Sequence, residues 1–177
     1  MQVVSYLMEI KYWRTAIARR KPSLPLRKVI DRFSKVDKIL DYGCGRGFDI
    51  EYLKSLGYDA YGYDPYFSKY NHPEILTPDT YDVVLCFYVL NIVLPEDRHK
   101  ILENIKRVLK TGGRAYIAVR DKSEKIIGLP FRDGVITITG TFQKTFSVSE
   151  LEDLLGQHFN DVEVLSKRPL IAVVRKW

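Results

Sequence analysis

The stretch that most constrains this chain is KILDYGCGRGFDI, residues 38–50: an apolar run closing on Asp41, glycines at 43, 45 and 47, then the start of an apolar helical pattern. Glycines on alternate positions suit a backbone that must visit positive φ and lie against a ligand with no side chain between them. The helix that follows offers its first amides to an electronegative group at the same place. Strand, glycine loop and helix in that order open a doubly wound α/β sheet, whose ligands sit beyond the carboxyl ends of the strands.

The rest of the chain keeps that rhythm. FDIEYLKSLG carries Ile50, Leu53 and Leu56 on one helical face, with Gly57 placed to cap it. DAYGYD reads as a second strand and PEILTP as a short third. YDVVLCFYV is almost continuously apolar, as expected of a strand covered on both faces. PEDRHKILENIKRVLK predicts a helix that opens on Pro95 and buries Ile101, Ile105, Val108 and Leu109, and GRAYIAVR predicts the next strand. FRDGVITITGTF, with its D-G turn, reads as a hairpin or insertion. Ser147 and Glu150 have capping-box spacing for a last helix. Two final strands joined at KRP are too close for a crossover, so they pair antiparallel. The expected fold is α/β: one doubly wound Rossmann-like sheet, mostly parallel, with a C-terminal antiparallel hairpin and helices on both faces.

Ahead of the loop, apolar spacing over residues 3–17 predicts an N-terminal helix, and Ser23 caps a second built on Leu26, Val29, Ile30 and Phe33. The net charge of +6 is concentrated here: residues 1–40 hold ten Lys and Arg against three Asp and Glu, and the remainder is nearly neutral. The chain of 177 residues therefore divides into a basic segment, 1–37, and a ligand-binding domain, 38–177. A basic segment of this kind suits a partner bearing phosphates or carboxylates, so nucleic acid is one candidate, and a solvated helical face is the other reading. With no long apolar run and no secretory pattern, a cytoplasmic protein without membrane contact is expected. Two cysteines and three scattered histidines lack zinc-site spacing, so no metal is expected.

The spacing also separates two kinds of cofactor. Dinucleotide loops read G-x-G-x-x-G and aim a helix at a pyrophosphate, whereas this loop reads D-x-G-x-G-x-G. A carboxylate at position 41 repels a pyrophosphate and suits an ammonium group. Asp64, closing the second strand in GYDPY, can accept both hydroxyls of a ribose. Adenosine at one end and an amino acid at the other, with no phosphate, describes S-adenosyl-L-methionine.

On ILDYGCGRG, GYDPY, YDVVLCFYVLNIV and RVLKTGGRAYIAVR, the sequence resembles the class I S-adenosylmethionine-dependent methyltransferases over residues 38–177. The resemblance implies that Asp41, Gly43, Cys44, Gly45 and Gly47 line the methionine end of the cofactor. It puts Asp64 on the ribose, Tyr63 and Pro65 beside the adenine, and Cys86, Phe87 and Tyr88, leaving the family's fourth strand, near the sulfonium. Arg14 and Lys11 could reach the cofactor carboxylate from an N-terminal lid, the reading favoured for Arg14, or Arg14, Arg19, Arg20 and Lys21 could track phosphates instead. RTAIARRKPSLP and GTFQKTFSVSEL add a narrower resemblance to methyltransferases associated with DNA phosphorothioation systems, which implies a nucleic-acid context by association.

The acceptor and the catalytic residues are not written in these motifs. The place of an N/D-P-P-Y motif reads CFYVLN, and Cys86 lacks the proline of a cytosine-C5 nucleophile. Asn91 suits either an acceptor contact or a turn, Tyr88 either stacking on a planar substrate or the cofactor wall, and the segment 121–146 either an acceptor cover or a structural hairpin. The expected activity is methyl transfer to a nucleic acid or small molecule. A catalytically silent binding module of the same fold and a nicotinamide-dependent reductase are the alternatives.

Overall fold

A computed structural model describes residues 10–177. Its six-stranded sheet runs β2-β1-β3-β4-β9-β8, built from β1 (Lys38–Tyr42), β2 (Asp59–Tyr63), β3 (Tyr81–Phe87), β4 (Leu109–Val119), β8 (Asp161–Lys167) and β9 (Leu170–Arg175). β1 pairs in parallel with β2 and β3, and β3 with β4, while β9 runs antiparallel to both β4 and β8. The doubly wound sheet with its terminal hairpin is thus as the pattern required.

Side chains alternate through the sheet to two cores. Val84, Cys86, Ala115, Ile117, Ala172 and Val174 face α3 (Pro95–Val108) and α4 (Val148–Gly156). Val83, Leu85, Tyr116, Ala118, Ile171 and Val173 face α1 (Leu24–Val29) and α2 (Phe48–Ser55). Leu26, Val29 and Phe33 belong to this second core, and Ser23 caps α1 by accepting the Leu26 N–H at 3.2 Å. A small antiparallel sheet, β5 (Leu129–Phe131), β6 (Gly134–Ile136) and β7 (Phe142–Gln143), forms the insertion that the D-G turn announced.

Three expectations need correction. The strand expected in PEILTP is a 3-10 turn, Pro73–Ile75. Pro73 and Pro78 have no N–H to give a ladder, and Ile75 and Leu76 pack against the α3 side instead. The apolar run 81–89 therefore supplies the third strand of the sheet, and β2 is one of its two edges. In α3 the buried face carries Leu102, Ile105 and Val108, with Ile101 only partly covered and Leu109 already in β4. Of the helix expected over 3–17, residues 3–9 lie outside the described residues, and the remainder holds one 3-10 turn, Tyr12–Thr15. Among the described residues no helix is long and apolar enough to cross a membrane.

Candidate functional site

The loops leaving β1, β2, β3 and β4 meet at one end of the sheet around a cleft of about 600 Å³. Its floor is the glycine loop. Gly43 and Cys44 donate their N–H groups to the Tyr63 carbonyl at 2.7 and 3.2 Å, which ties the loop to the end of β2. Gly47 stands at φ +77° as the cap of α2, and a Cβ there would run into the Tyr70 ring. Conformation and close packing both require glycine at that position.

Three carboxylates surround this loop. Asp41 is 5% exposed, and its carboxylate accepts no hydrogen bond from the described residues. Burial holds its pKa well above the ordinary carboxylate range, the charges of Asp49 and Asp64 push the same way, and Arg19 opposes them. Asp49 is occupied, taking the Ser23 N–H at 2.8 Å and so tying α1 to the start of α2. Asp64 takes the Gly45 N–H on Oδ2 at 2.8 Å and the Tyr66 N–H on Oδ1 at 2.9 Å. Burial raises its pKa, and those two donors pull it back. Each oxygen keeps a further lone pair for a ligand. Among the described residues no group of three or more His, Cys, Asp or Glu is placed to share a metal ion.

Residues 10–19 form a strap across the mouth. Ala16 sits over Gly45, close enough to meet a Cβ there at 3.3 Å. The rings of Tyr12 and Trp13 lie 5.8 and 6.1 Å from that of Tyr66, and the Lys11 N–H donates to the Gly140 carbonyl of the insertion at 3.1 Å. The strap thus spans the glycine loop, the end of β2 and the insertion.

The fourth side is the turn after β3. Tyr88 holds φ +61°, a region that favours glycine, with its N–H fixed to the Ala118 carbonyl at 2.7 Å. Phe87, Tyr88 and Asn91 line the cleft there and Gln143 of β7 lines it opposite; the Asn91 Nδ2 donates to Gln143 Oε1 at 3.4 Å. Arg120 and Glu124 close the rim as an ion pair at 2.9 Å.

Of the residues singled out in the sequence, Asp41, Gly43, Cys44, Gly45, Gly47, Tyr63, Asp64, Pro65, Phe87 and Tyr88 come together on this cleft. Cys86 does not: strand alternation turns it into the α3–α4 core, fully buried, where desolvation keeps its thiol protonated. Arg14 does not either, because its guanidinium points outward to the Thr139 carbonyl at 3.3 Å. Arg19 lines the cleft in its stead. The cleft also takes in Tyr66, which closes the GYDPY motif, and three residues that the sequence reading gave no place in the site, Tyr12, Trp13 and Gln143. Tyr66 carried a local signal through its motif; Gln143, one of several polar residues in GTFQKTF, did not.

A family described as a methyltransferase domain matches residues 12–162. No curated protein matches the chain. Among solved structures, the 1,6-didemethyltoxoflavin-N1-methyltransferase of Burkholderia thailandensis, solved with 1,6-didemethyltoxoflavin and S-adenosylhomocysteine, superposes with a TM-score of 0.64 at 18% identity, covering 95% of this chain and 79% of its own. A SAM-dependent methyltransferase of Methanosarcina mazei gives 0.67 at 17% identity, covering 88% and 99%. One from Archaeoglobus fulgidus gives 0.62 at 17%, covering 85% and 91%. At these identities the likeness is one of fold.

Proposed function

From the premise that this chain belongs to the methyltransferase-domain family, we propose that it transfers the methyl group of S-adenosyl-L-methionine to an acceptor held between the Tyr88–Asn91 turn and the insertion. The observation that carries the reading is Asp41, a buried carboxylate on the cleft with no partner among the described residues. Such a group asks for a cation. The ammonium of the cofactor's methionine end supplies one, and a pyrophosphate would be repelled.

The remaining residues fit the same molecule. The free lone pairs of Asp64 suit the ribose hydroxyls, and Tyr63, Pro65 and Phe87 offer flat or apolar surface to an adenine. Arg19, beside Asp41, suits the methionine carboxylate in the role first expected of Arg14. When bound, the cofactor supplies an electrophilic methyl on sulfur. The chain's part is to hold donor and acceptor in line and keep water out, which is where most of the acceleration of such a displacement comes from. The strap and the insertion cover the cleft accordingly.

A second reading, with nucleic acid as the acceptor, draws support from the exposed Arg20, Lys21, Arg27 and Lys28 and from the narrower resemblance to phosphorothioation-associated methyltransferases. Calorimetry with S-adenosylhomocysteine at millimolar concentration tests the core of the proposal. Folded protein that binds neither it nor S-adenosylmethionine, or that prefers NADH, overturns the reading. Transfer of labelled methyl to pooled DNA, RNA, protein or small molecules then separates an enzyme from a silent binding module.

A further inference from the structure

Asn91 is 1% exposed and lines the cleft, yet its Oδ1 is buried with no hydrogen-bond partner among the described residues. Native structures seldom leave such an atom orphaned, so it calls for a partner that arrives from outside. Its setting is rigid. The Asn91 carbonyl accepts the Lys144 N–H at 2.8 Å, and Arg98, buried beneath the turn, donates to the carbonyls of Leu90 at 2.8 Å and Val93 at 3.0 Å. The same guanidinium binds Asp133 of the insertion, so the β3 turn and β7 are locked together with Asn91 facing Gln143.

What this pair displays is specific. One Asn91 N–H is given to Gln143 Oε1, which leaves Asn91 Oδ1 as an acceptor and the Gln143 amide nitrogen as a donor. Turning both amides over exchanges the two, and the edge still shows one acceptor beside one donor. Its complement is therefore an edge with one N–H beside one carbonyl. The surroundings add two conditions. Two opposite-charge pairs line the cleft, Arg120 with Glu124 and Lys100 with Asp97, and each neutralises itself, which favours an uncharged ligand. Phe87 and Tyr88 supply flat apolar wall, and a cleft of about 600 Å³ shared with a cofactor leaves room for one small ring system.

We propose that Asn91 and Gln143 form the acceptor-selecting edge of this site and that the methyl acceptor is a small, neutral, planar heterocycle presenting a lactam-type N–H beside a carbonyl. This rests on the methyltransferase reading above and names its substrate class. The same edge occurs on a nucleobase within a polymer, so the test includes that source.

The test uses matched probes on protein saturated with S-adenosylhomocysteine: uracil against 1,3-dimethyluracil, lumazine against 1,3-dimethyllumazine, and a short oligouridine, all read by ligand-observed NMR titration. At least one N–H-bearing member is expected to bind about tenfold or more tighter than its N-methylated partner, since the methylated edge leaves the amides unpaired. In Asn91→Leu and in Gln143→Met that preference collapses, while S-adenosylhomocysteine affinity by calorimetry stays within about twofold, the acceptor edge being separate from the cofactor contacts. Should Asn91→Leu not fold, Gln143→Met decides alone. No preference for N–H over N-methyl, no binding of any probe, a preference that survives the variants, or binding of the oligouridine only would each overturn the proposal. Loss of S-adenosylhomocysteine binding by the wild-type chain appears in the first titration and sinks the earlier reading instead.

Discussion

Each oxygen of Asp64 already accepts a backbone N–H, from Gly45 and from Tyr66, so the carboxylate clamps the glycine loop to the end of β2 before any ligand arrives. Asp64→Ala removes the clamp and the ribose partner together, and S-adenosylhomocysteine affinity by calorimetry is expected to fall by about 1–3 kcal/mol, that of lost charge-assisted hydrogen bonds. Asp41 behaves differently because nothing holds it. Burial keeps its proton on to higher pH than an ordinary carboxylate, whereas a bound ammonium favours the ionised form. Affinity for S-adenosylhomocysteine should therefore climb as pH rises through the raised pKa, then level off; Asp41→Asn should abolish the slope. The sign for stability is opposite. A pKa raised by folding stabilises the unliganded protein at low pH, and that contribution is lost as pH rises through the folded value. Unliganded Asp41→Asn should accordingly melt higher than the parent at neutral pH, and equal or lower melting would contradict the assignment of an uncompensated charge.

Elements closed by local chemistry were the easiest to foresee. Ser147 accepts the Glu150 N–H at 3.2 Å and Glu150 accepts the Ser147 N–H at 2.7 Å, the capping box that the spacing predicted at the head of α4. Ser147→Ala should cost about 1 kcal/mol in chemical denaturation. Glu150 also faces Lys144 and Lys122. Burial works against its ionised form, but the Ser147 N–H and these lysines prevail and lower its pKa to about 2. Its contribution to stability is present above the unfolded carboxylate range and is lost as pH falls toward 2, so Glu150→Gln should flatten the acid limb of the stability profile. Elsewhere tertiary context decided. The segment 73–78 has strand-like residues, but its two prolines leave it unable to join the ladder, and Arg107 and Tyr81 fasten it by donating to the Leu76 and Ile75 carbonyls. In α3 the helical phase is set by Arg98, whose buried guanidinium spans from the helix to the β3 turn. A charged residue in the core face is invisible to a rule that looks for apolar stripes.

Across the whole molecule, the parts of the cleft read from the sequence are those written within one loop: Asp41 with its glycines, and Asp64 at the end of a strand. What was missed depends on long-range contact. Gln143 reaches Asn91 across 52 residues, and Arg14 turns away from the cleft toward a carbonyl at Thr139, 125 residues on, which no local pattern announces. The two ends of the described chain also sit at opposite poles. Trp177 follows β9, whose last residue Arg175 pairs with Arg114 of β4, on the far side of the sheet from the cleft, and the Trp177 indole donates to Asp161 at 3.3 Å. Ile10 instead opens the strap, next to Lys11 and Tyr12 at the mouth of the cleft. A group attached within the strap therefore stands beside the entrance, and one attached at Trp177 does not. A fluorophore on Ile17→Cys should therefore report cofactor binding and slow its entry in stopped-flow traces, and the same dye on Trp177→Cys should stay silent. For immobilisation, affinity capture or a chimeric partner, the handle belongs at the tryptophan end.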